Sequence, residues 1–170
     1  ESIEDWRVHI VDTGLHTQTG GRIKRIANLI DEEDFFLTYG DGLGDIDLNE
    51  VKKFHKSHDG AATVTAVRPP ARFGALQIKK DGGVDSFEEK PLGDGSWING
   101  GFFILSPKIF DYIKGDNTIW ERDPLRNLAI DGELKAYKHS GFWHPMDSLR
   151  DQKYLESLCQ DSKPPWQIWN

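Results

Sequence analysis

Cysteine is almost missing from this chain: Cys159 stands alone among 170 residues. No internal disulfide can form, and no Cys-rich zinc site can be built. A lone thiol fits a reducing compartment. Long apolar runs are absent too. No stretch approaches the roughly 20 residues a membrane-spanning helix needs, and no basic-then-apolar leader opens the chain. Together these absences lead to the expectation of a soluble globular protein in a cytoplasmic setting. Positive charge is scarce, with 21 lysines and arginines against 28 acidic residues and a net charge of −7. That balance argues against a nucleic-acid-binding face and leaves any phosphate chemistry to local cations. The six histidines show no H-x-x-x-H spacing and there is no G-x-S-x-G, so zinc hydrolysis and serine esterase chemistry lack their residues. The chain opens on Glu1 rather than methionine, as a processed product or a piece of a longer protein would.

What is present suits one domain: 37% hydrophobic residues and six tryptophans can fill a substantial core. Trp6 to Val11 (WRVHIV) is rich in strand formers. Ile23, Ile26, Ala27 and Ile30 then recur at helical spacing after Gly20-Gly21, so the opening reads strand, glycine turn, helix. Phe35 to Tyr39 reads as a short buried strand, Leu48, Val51 and Phe54 mark a helix, and Ala61 to Val67 is an uncharged strand. This β-α-β-α-β order predicts an α/β fold with a mostly parallel sheet flanked by helices. After Pro69-Pro70 the pattern changes. Ala75 to Ile78 and Val84 to Phe87 flank the turn Lys80-Asp81-Gly82-Gly83 as a hairpin, and Ile98 to Leu105 (INGGFFIL) is a glycine-interrupted strand. Helices around Lys108 to Ile113 and Trp120 to Ile130, a strand near Leu134 to Tyr137 and a helix from Ser148 to about Leu158 complete the order. Pro164-Pro165-Trp166 reads as an extended tail that docks through its tryptophans.

Three aspartates crowd the segment TYGDGLGDIDLNE (38–50). Asp47 precedes the Leu48 helix with Glu50 three residues on, the spacing of a capping box, and Asp45 reads as a solvated loop residue. Asp41 differs. It lies just past the carboxyl end of a buried strand, where open α/β sheets bind ligands, and Gly40 and Gly42 beside it let backbone approach closely. Asp147, in GFWHPMDSLRD (141–151), is a second carboxylate before a helix. Two aspartates converging from separate elements suit Mg²⁺ bound together with substrate phosphates. In SFEEKPLGDGSWINGG (86–101), Lys90 can hold a phosphate and a neighbouring carboxylate can accept sugar hydroxyls. Gly20 and Gly21, with Arg22 beside them, can bring backbone N–H groups to a base or phosphate.

Taken in order, VDTG (11–14), TGGRIKR (19–25), TYGDG (38–42), RFGAL (72–76), EEKP (88–91), INGGFF (98–103), Trp120-Glu121 and GFWHPMDSLRD (141–151) resemble the sugar-1-phosphate nucleotidyltransferases. INGGFF and GFWHPMD favour the branch that makes CDP-glucose from CTP and glucose 1-phosphate. The resemblance implies a nucleotide-binding sheet with a smaller sugar-binding β portion, divided at residues 1–68 and 69–170, and Mg²⁺ between the reactants. It implies Gly20 and Gly21 at the cytosine, Arg22 near the nucleotide, and Asp41 and Asp147 on the metal. Gly74 and Asn99 would line the sugar pocket, Glu89 would bond glucose hydroxyls and Lys90 would hold the sugar phosphate.

The family's glycine-rich G-G-x-G-T-R loop, which wraps the triphosphate, does not occur in these 170 residues. The resemblance therefore covers the central and C-terminal parts and implies a homo-oligomer or a pairing that supplies this loop. Two other readings stand beside it. Asp45-Ile46-Asp47 has the D-x-D form of a metal-dependent glycosyltransferase, and a chain of this kind could be a non-catalytic sugar-phosphate-binding module.

Overall fold

A computed structural model describes residues 5–69, 75–88, 96–160 and 163–169. In chain order the elements are α1 (Thr19–Arg25), β1 (Phe35–Thr38), β2 (Gly42–Gly44), α2 (Leu48–His55), β3 (Ala62–Val67), β4 (Ala75–Ile78), β5 (Val84–Glu88), β6 (Ile98–Leu105), α3 (Asp123–Ile130), β7 (Leu134–Lys138), β8 (Trp143–Pro145) and α4 (Leu149–Gln160). Short 3-10 turns lie at Ala27–Leu29 and Pro107–Tyr112.

The uncharged β3 is buried at every position but Val64, as a strand covered on both faces must be. It sits inside a four-stranded sheet of order β1-β6-β3-β7. β1, β3 and β7 run in one direction, in keeping with the β-α-β reading. β6 runs against them, so both of its pairings are antiparallel and only β3 and β7 form a parallel pair. The expected mostly parallel sheet thus holds for strand direction and is corrected for neighbours. The cause is a return path: β3 leaves at Val67, directly opposite the point where β6 begins at Ile98. A chain that re-enters a sheet at the end it left must run antiparallel. The sheet draws strands from both sides of residue 68. The β4–β5 hairpin forms a separate sheet around Gly82, whose φ of +87° demands glycine.

Helices cover both faces. On one, Ile23, Ile109, Ile113, Trp120 and Leu128 pack against Ala62, Phe103 and Leu105. Trp120 is fully buried and meets Phe103 edge-on at 5.9 Å, a favoured aromatic geometry. On the other face, Ile46 and Val51 join Ile104, with Phe102, Tyr137 and Trp143 around them. Asp47 caps α2 as expected, its Oδ1 accepting from the N–H groups of Asn49 (2.8 Å) and Glu50 (3.3 Å).

Three expectations need correction. Trp6–Val11 is not a strand: Trp6, Val8 and Ile10 are 76%, 72% and 95% exposed, and no described strand pairs with the segment, without which an extended chain has no ladder to join. Pro107–Tyr112 closes with i→i+3 bonds, Ser106 O to Ile109 N and Phe110 O to Ile113 N, and is a 3-10 turn. α3 begins at Asp123 rather than Trp120, because Pro124 sets the first turn. The tail does dock, with Trp166 against Phe142 at 5.7 Å, while Trp169 remains exposed.

A histidine pair braces the amino end of β3. Gly60 N–H donates to His58 Nδ1 (3.1 Å), which places the ring hydrogen on Nε2, and that group donates to Thr63 Oγ1 (2.9 Å). The hydroxyl hydrogen of the fully buried Thr63 then faces His55 Nδ1 (2.7 Å), and His55 Nε2 lies 3.5 Å from Asp34 Oδ2. Burial, followed by the charges of His55 and Lys135, holds the His58 pKa below the ordinary histidine value. The unfolded chain therefore binds the His58 proton more readily than the folded one does. Stability from neutral His58 is complete above the unfolded value of about 6.5 and is lost as pH falls through the lower folded value. The urea midpoint should drop on acidification from about pH 8 to about pH 5, and the drop should shrink in His58→Asn. An equal pH slope in that variant would contradict the assignment.

Candidate active site

The carboxyl ends of β1, β3 and β7 and the amino end of β6 share one edge of the sheet. A break in β6 organises it. Pairing with β3 shifts register between Val64 and Ala66, and Gly101 takes φ +79°. A Cβ at Gly101 would meet Tyr39 Cδ2 at 2.8 Å, and one at Gly100 would meet Val67 Cγ1 at 2.8 Å and Thr65 O at 2.9 Å. Only glycines fit there. On the β1 side the ladder runs on, Gly101 O accepting from Tyr39 N–H (3.0 Å), while Gly100 O is free of the ladder and accepts from the Trp143 indole N–H (2.9 Å).

Those two bonds hold the segments that carry Asp41 and Asp147. β2 and β8 pair antiparallel as a ribbon, Gly42 opposite Pro145 and Gly44 opposite Trp143, and Met146 N–H donates to Asp41 O at 2.7 Å. Asp41 directly precedes β2 and Asp147 stands two residues past β8, so the Met146–Asp41 bond leaves the two aspartates one residue apart in register, just beyond the ribbon's end. The N-cap of α4 is supplied one residue further on, where Ser148 and Asp151 form a capping box: Ser148 N–H donates to Asp151 Oδ2 (3.0 Å) and Asp151 N–H to Ser148 Oγ (3.3 Å). Hydrogen bonds from Ser148, with His144 adding to them, keep the Asp151 carboxyl below its usual range. No cluster of three or more metal-ligating side chains occurs among the described residues. A pair of carboxylates still suits Mg²⁺, which keeps waters and substrate phosphates in its remaining positions.

Gly20 and Gly21 lie in α1 with a packing duty. A Cβ on Gly20 would stand 2.8 Å from Thr118 O, and one on Gly21 2.5 Å from Asp116 O. Arg25 clamps the same contact, its Nε and Nη2 bonding both oxygens of Asp116 at 2.9 and 2.6 Å. Arg22 is exposed and ties down the VDTG loop, donating to Thr13 Oγ1 (2.7 Å). Gly74, Glu89 and Lys90 lie outside the described residues.

Sequence reasoning missed the group that joins these motifs. Glu121 accepts from the hydroxyls of Thr19 (2.7 Å) and Tyr39 (2.8 Å), and Asn99 Nδ2 donates to Tyr39 Oη (3.2 Å). Burial first, and then the hydrogen bond to Glu121, pushes the Tyr39 pKa well up, so the phenol keeps its proton. Also missed was a cationic stack at the same edge: Arg68 and Lys138 lie over the Trp97 ring at 4.4 and 5.7 Å from its centre. Continuing the register that pairs Ala66 with both Asn99 and Lys138 sets Arg68 opposite Trp97, on the face that carries Asn99. The repeated glycine motifs pointed to this edge, but nothing in the spacing could align residues 68, 97 and 138.

Both members of the D-x-D are committed elsewhere. Asp47 caps α2, and Asp45 is not the solvated residue expected: its Oδ1 is shut from solvent 2.8 Å from His139 Nε2, without the alignment of a hydrogen bond.

An α/β sheet with glycine-flanked turns at its carboxyl edge fits a nucleotide-handling transferase, and residues 4–141 match the Nucleotidyl transferase family, to which this chain belongs. It is 54% identical over 168 residues to the glucose-1-phosphate cytidylyltransferase of Salmonella typhimurium, covering 98% of this chain and 65% of that protein. It is also 42% identical over 167 residues to a probable glucose-1-phosphate cytidylyltransferase of Bacillus subtilis, again 98% of this chain and 65% of the relative. The chain thus spans 65% of the length of these curated relatives. Among solved structures, HddC from Yersinia pseudotuberculosis superposes with a TM-score of 0.58 at 27% identity over 86% of this chain and 63% of that one. A putative glucose-1-phosphate thymidylyltransferase from Bacillus anthracis, at TM-score 0.62 and 18% identity over 87% and 63%, shares the fold.

Gly21→Ala tests the packing duty of the glycine pair. With the Asp116 backbone within 2.8 Å of the new methyl, it should cost about 1–3 kcal/mol, read from the denaturant midpoint. Loss of nucleotide binding at unchanged stability would assign the glycine to the ligand alone.

Proposed function

We propose that the protein transfers a cytidylyl group from CTP to glucose 1-phosphate, giving CDP-glucose and pyrophosphate, and that residues 1–170 carry the sugar-phosphate and metal part of the site. The observation that supports this reading is the β2–β8 ribbon, whose Met146–Asp41 backbone bond keeps the Asp41 segment beside the residue preceding Asp147, past the carboxyl end of β1. The kinship with cytidylyltransferases agrees with it. Asp41 and Asp147 would hold Mg²⁺, which when bound neutralises phosphate charge. Gly20, Gly21 and Arg22 would meet the nucleotide, while Gly74, Glu89, Lys90 and Asn99 would hold the sugar phosphate. Arg68 and Lys138 add positive charge on the face that carries Asn99, where a −7 chain otherwise has little to offer an anion.

In the reaction a phosphate oxygen of glucose 1-phosphate attacks the α-phosphorus of CTP in line. The new P–O bond forms as the bond to the β-phosphate breaks, and its electrons leave with pyrophosphate. No residue need act as nucleophile. The protein's share is to orient both phosphates, hold the sugar hydroxyls and exclude water, so the rate comes from positioning and charge neutralisation.

The full-length protein containing these residues, given CTP, glucose 1-phosphate and Mg²⁺, should release pyrophosphate and form CDP-glucose in equal amounts. Asp41→Asn should lower turnover about 10²–10³-fold, the usual loss when one preorganised charge-stabilising group is removed. Lys90→Ala should weaken glucose 1-phosphate by about 1.5–3 kcal/mol and CTP much less. Sugar transfer from a nucleotide sugar without pyrophosphate, or glucose 1-phosphate binding without turnover, would replace this reading with a glycosyltransferase or a binding module.

A further inference from the structure

The hydrogen-bond chain at Glu121 has a defined direction, because each member has only one way to satisfy its partners. Gly101 N–H points at Asn99 Oδ1 (2.8 Å). An amide nitrogen cannot accept that hydrogen, so the carboxamide is locked with Oδ1 toward Gly101 and Nδ2 toward Tyr39. At Tyr39 the single phenolic hydrogen goes to Glu121 Oε1, which leaves the phenol oxygen as an acceptor for Asn99. Glu121 Oε2 takes the hydroxyl hydrogen of Thr19, whose oxygen accepts from Trp120 N–H at 2.9 Å. Thr19 opens α1, Trp120 is fully buried, and Gly101 is fixed by its own backbone geometry. Both ends of the chain are therefore anchored in rigid structure.

One hydrogen of Asn99 Nδ2 remains uncommitted, on an exposed residue that shares its sheet face with Arg68 and Lys138. Among the described residues neither cation pairs with a carboxylate. Everything these three side chains offer is a donor. A phosphate oxygen or the oxygen of a hydroxyl group fits such a surface; a group that must itself donate does not.

We propose that Glu121, acting through Tyr39, is a positioning residue that orients Asn99 to present one N–H donor to an acceptor oxygen of the sugar phosphate. This rests on the nucleotidyl-transfer reading above and adds to it a polarity for Asn99 and two residues, Tyr39 and Glu121, that need not touch substrate. Without the Glu121 carboxylate the Tyr39 hydrogen can rotate toward Asn99, where two donors then oppose each other and the amide loses its fixed pose.

The test is equilibrium binding of glucose 1-phosphate to the full-length protein by calorimetry, a readout independent of turnover, with CTP affinity and the urea midpoint measured alongside. Tyr39→Phe and Glu121→Ala should each weaken glucose 1-phosphate about 3- to 10-fold, the range of one neutral hydrogen bond, and leave CTP within about twofold. Because the two act in series, the double variant should be no worse than either single one. Glu121→Gln keeps an acceptor oxygen and should recover part of the affinity. Asn99→Asp, which replaces the donor by an acceptor of nearly the same shape, should cost about 10- to 150-fold, as for a hydrogen bond involving charge. Unchanged affinity in Tyr39→Phe and Glu121→Ala while Asn99→Asp loses binding would overturn the positioning role alone. Tight binding by Asn99→Asp would overturn the donor assignment. Failure of the wild-type protein to bind glucose 1-phosphate would overturn the underlying function and this proposal with it.

Discussion

The break in β6 at Gly100-Gly101 is the constraint on which the rest of this edge depends. A regular strand would spend both carbonyls on its sheet neighbours. Here Gly101 O still serves the neighbouring strand, extending the β1 ladder to Tyr39 N–H, but Gly100 O is diverted to the Trp143 indole. Tyr39 stands two residues before Asp41, and Trp143 four residues before Asp147. Two adjacent glycine carbonyls, one in the ladder and one diverted from it, therefore hold the segments on which Asp41 and Asp147 lie, and the β2–β8 ladder pairs those segments. Glycine is required twice, once for a positive φ and once for contact with Val67 and Thr65. The same break supplies the N–H that orients Asn99, so the carboxylate side and the amide side of the site share one anchor.

A site built this way suits a reaction in which the substrates bring their own nucleophile and leaving group. What the protein must provide is placement, and placement is what the described contacts supply: a helix clamped from its last residue, Arg25, to Asp116, a glutamate binding two hydroxyls from segments 20 residues apart, and an indole flanked by two cations. Each part sits on a strand end or a helix end, and those ends are held by a core centred on Trp120 and Phe103. The histidine brace lies at the opposite end of β3, so acid acting there bears on stability rather than on the ligand edge.

Much of the fold was legible because its long elements carry strong patterns. The uncharged ATVTAV, the Leu48-Val51-Phe54 spacing after Asp47, and the glycine turn of the hairpin each specify their structure locally. The direction of β6 was not legible, since INGGFFIL has the same composition whether it runs with or against its neighbours; the return point opposite Val67 decides it. Three-residue strands such as GLG and WHP are too short for alternation to show. Trp6–Val11 has strand composition without a described partner, and composition alone cannot supply one. For the proposed site, the place of Asp41 after a buried strand and the motif around Asp147 were what the sequence offered, and the structure adds the backbone bond that links their segments. Glu121, Tyr39, Arg68, Trp97 and Lys138 could not be singled out, because their roles arise only when segments up to about a hundred residues apart are brought together.

The central claim is that Asp41 and Asp147 act on one divalent ion. Mn²⁺ bound to the full-length protein in the presence of CTP can be counted by electron paramagnetic resonance in the wild type, in Asp41→Asn, in Asp147→Asn and in the double variant. Residues that share one ion are coupled, so either single substitution should remove the same bound Mn²⁺ and the double variant should show no further loss. Independent, additive losses from the two substitutions, or retention of the ion in either single variant at wild-type affinity, would contradict the account.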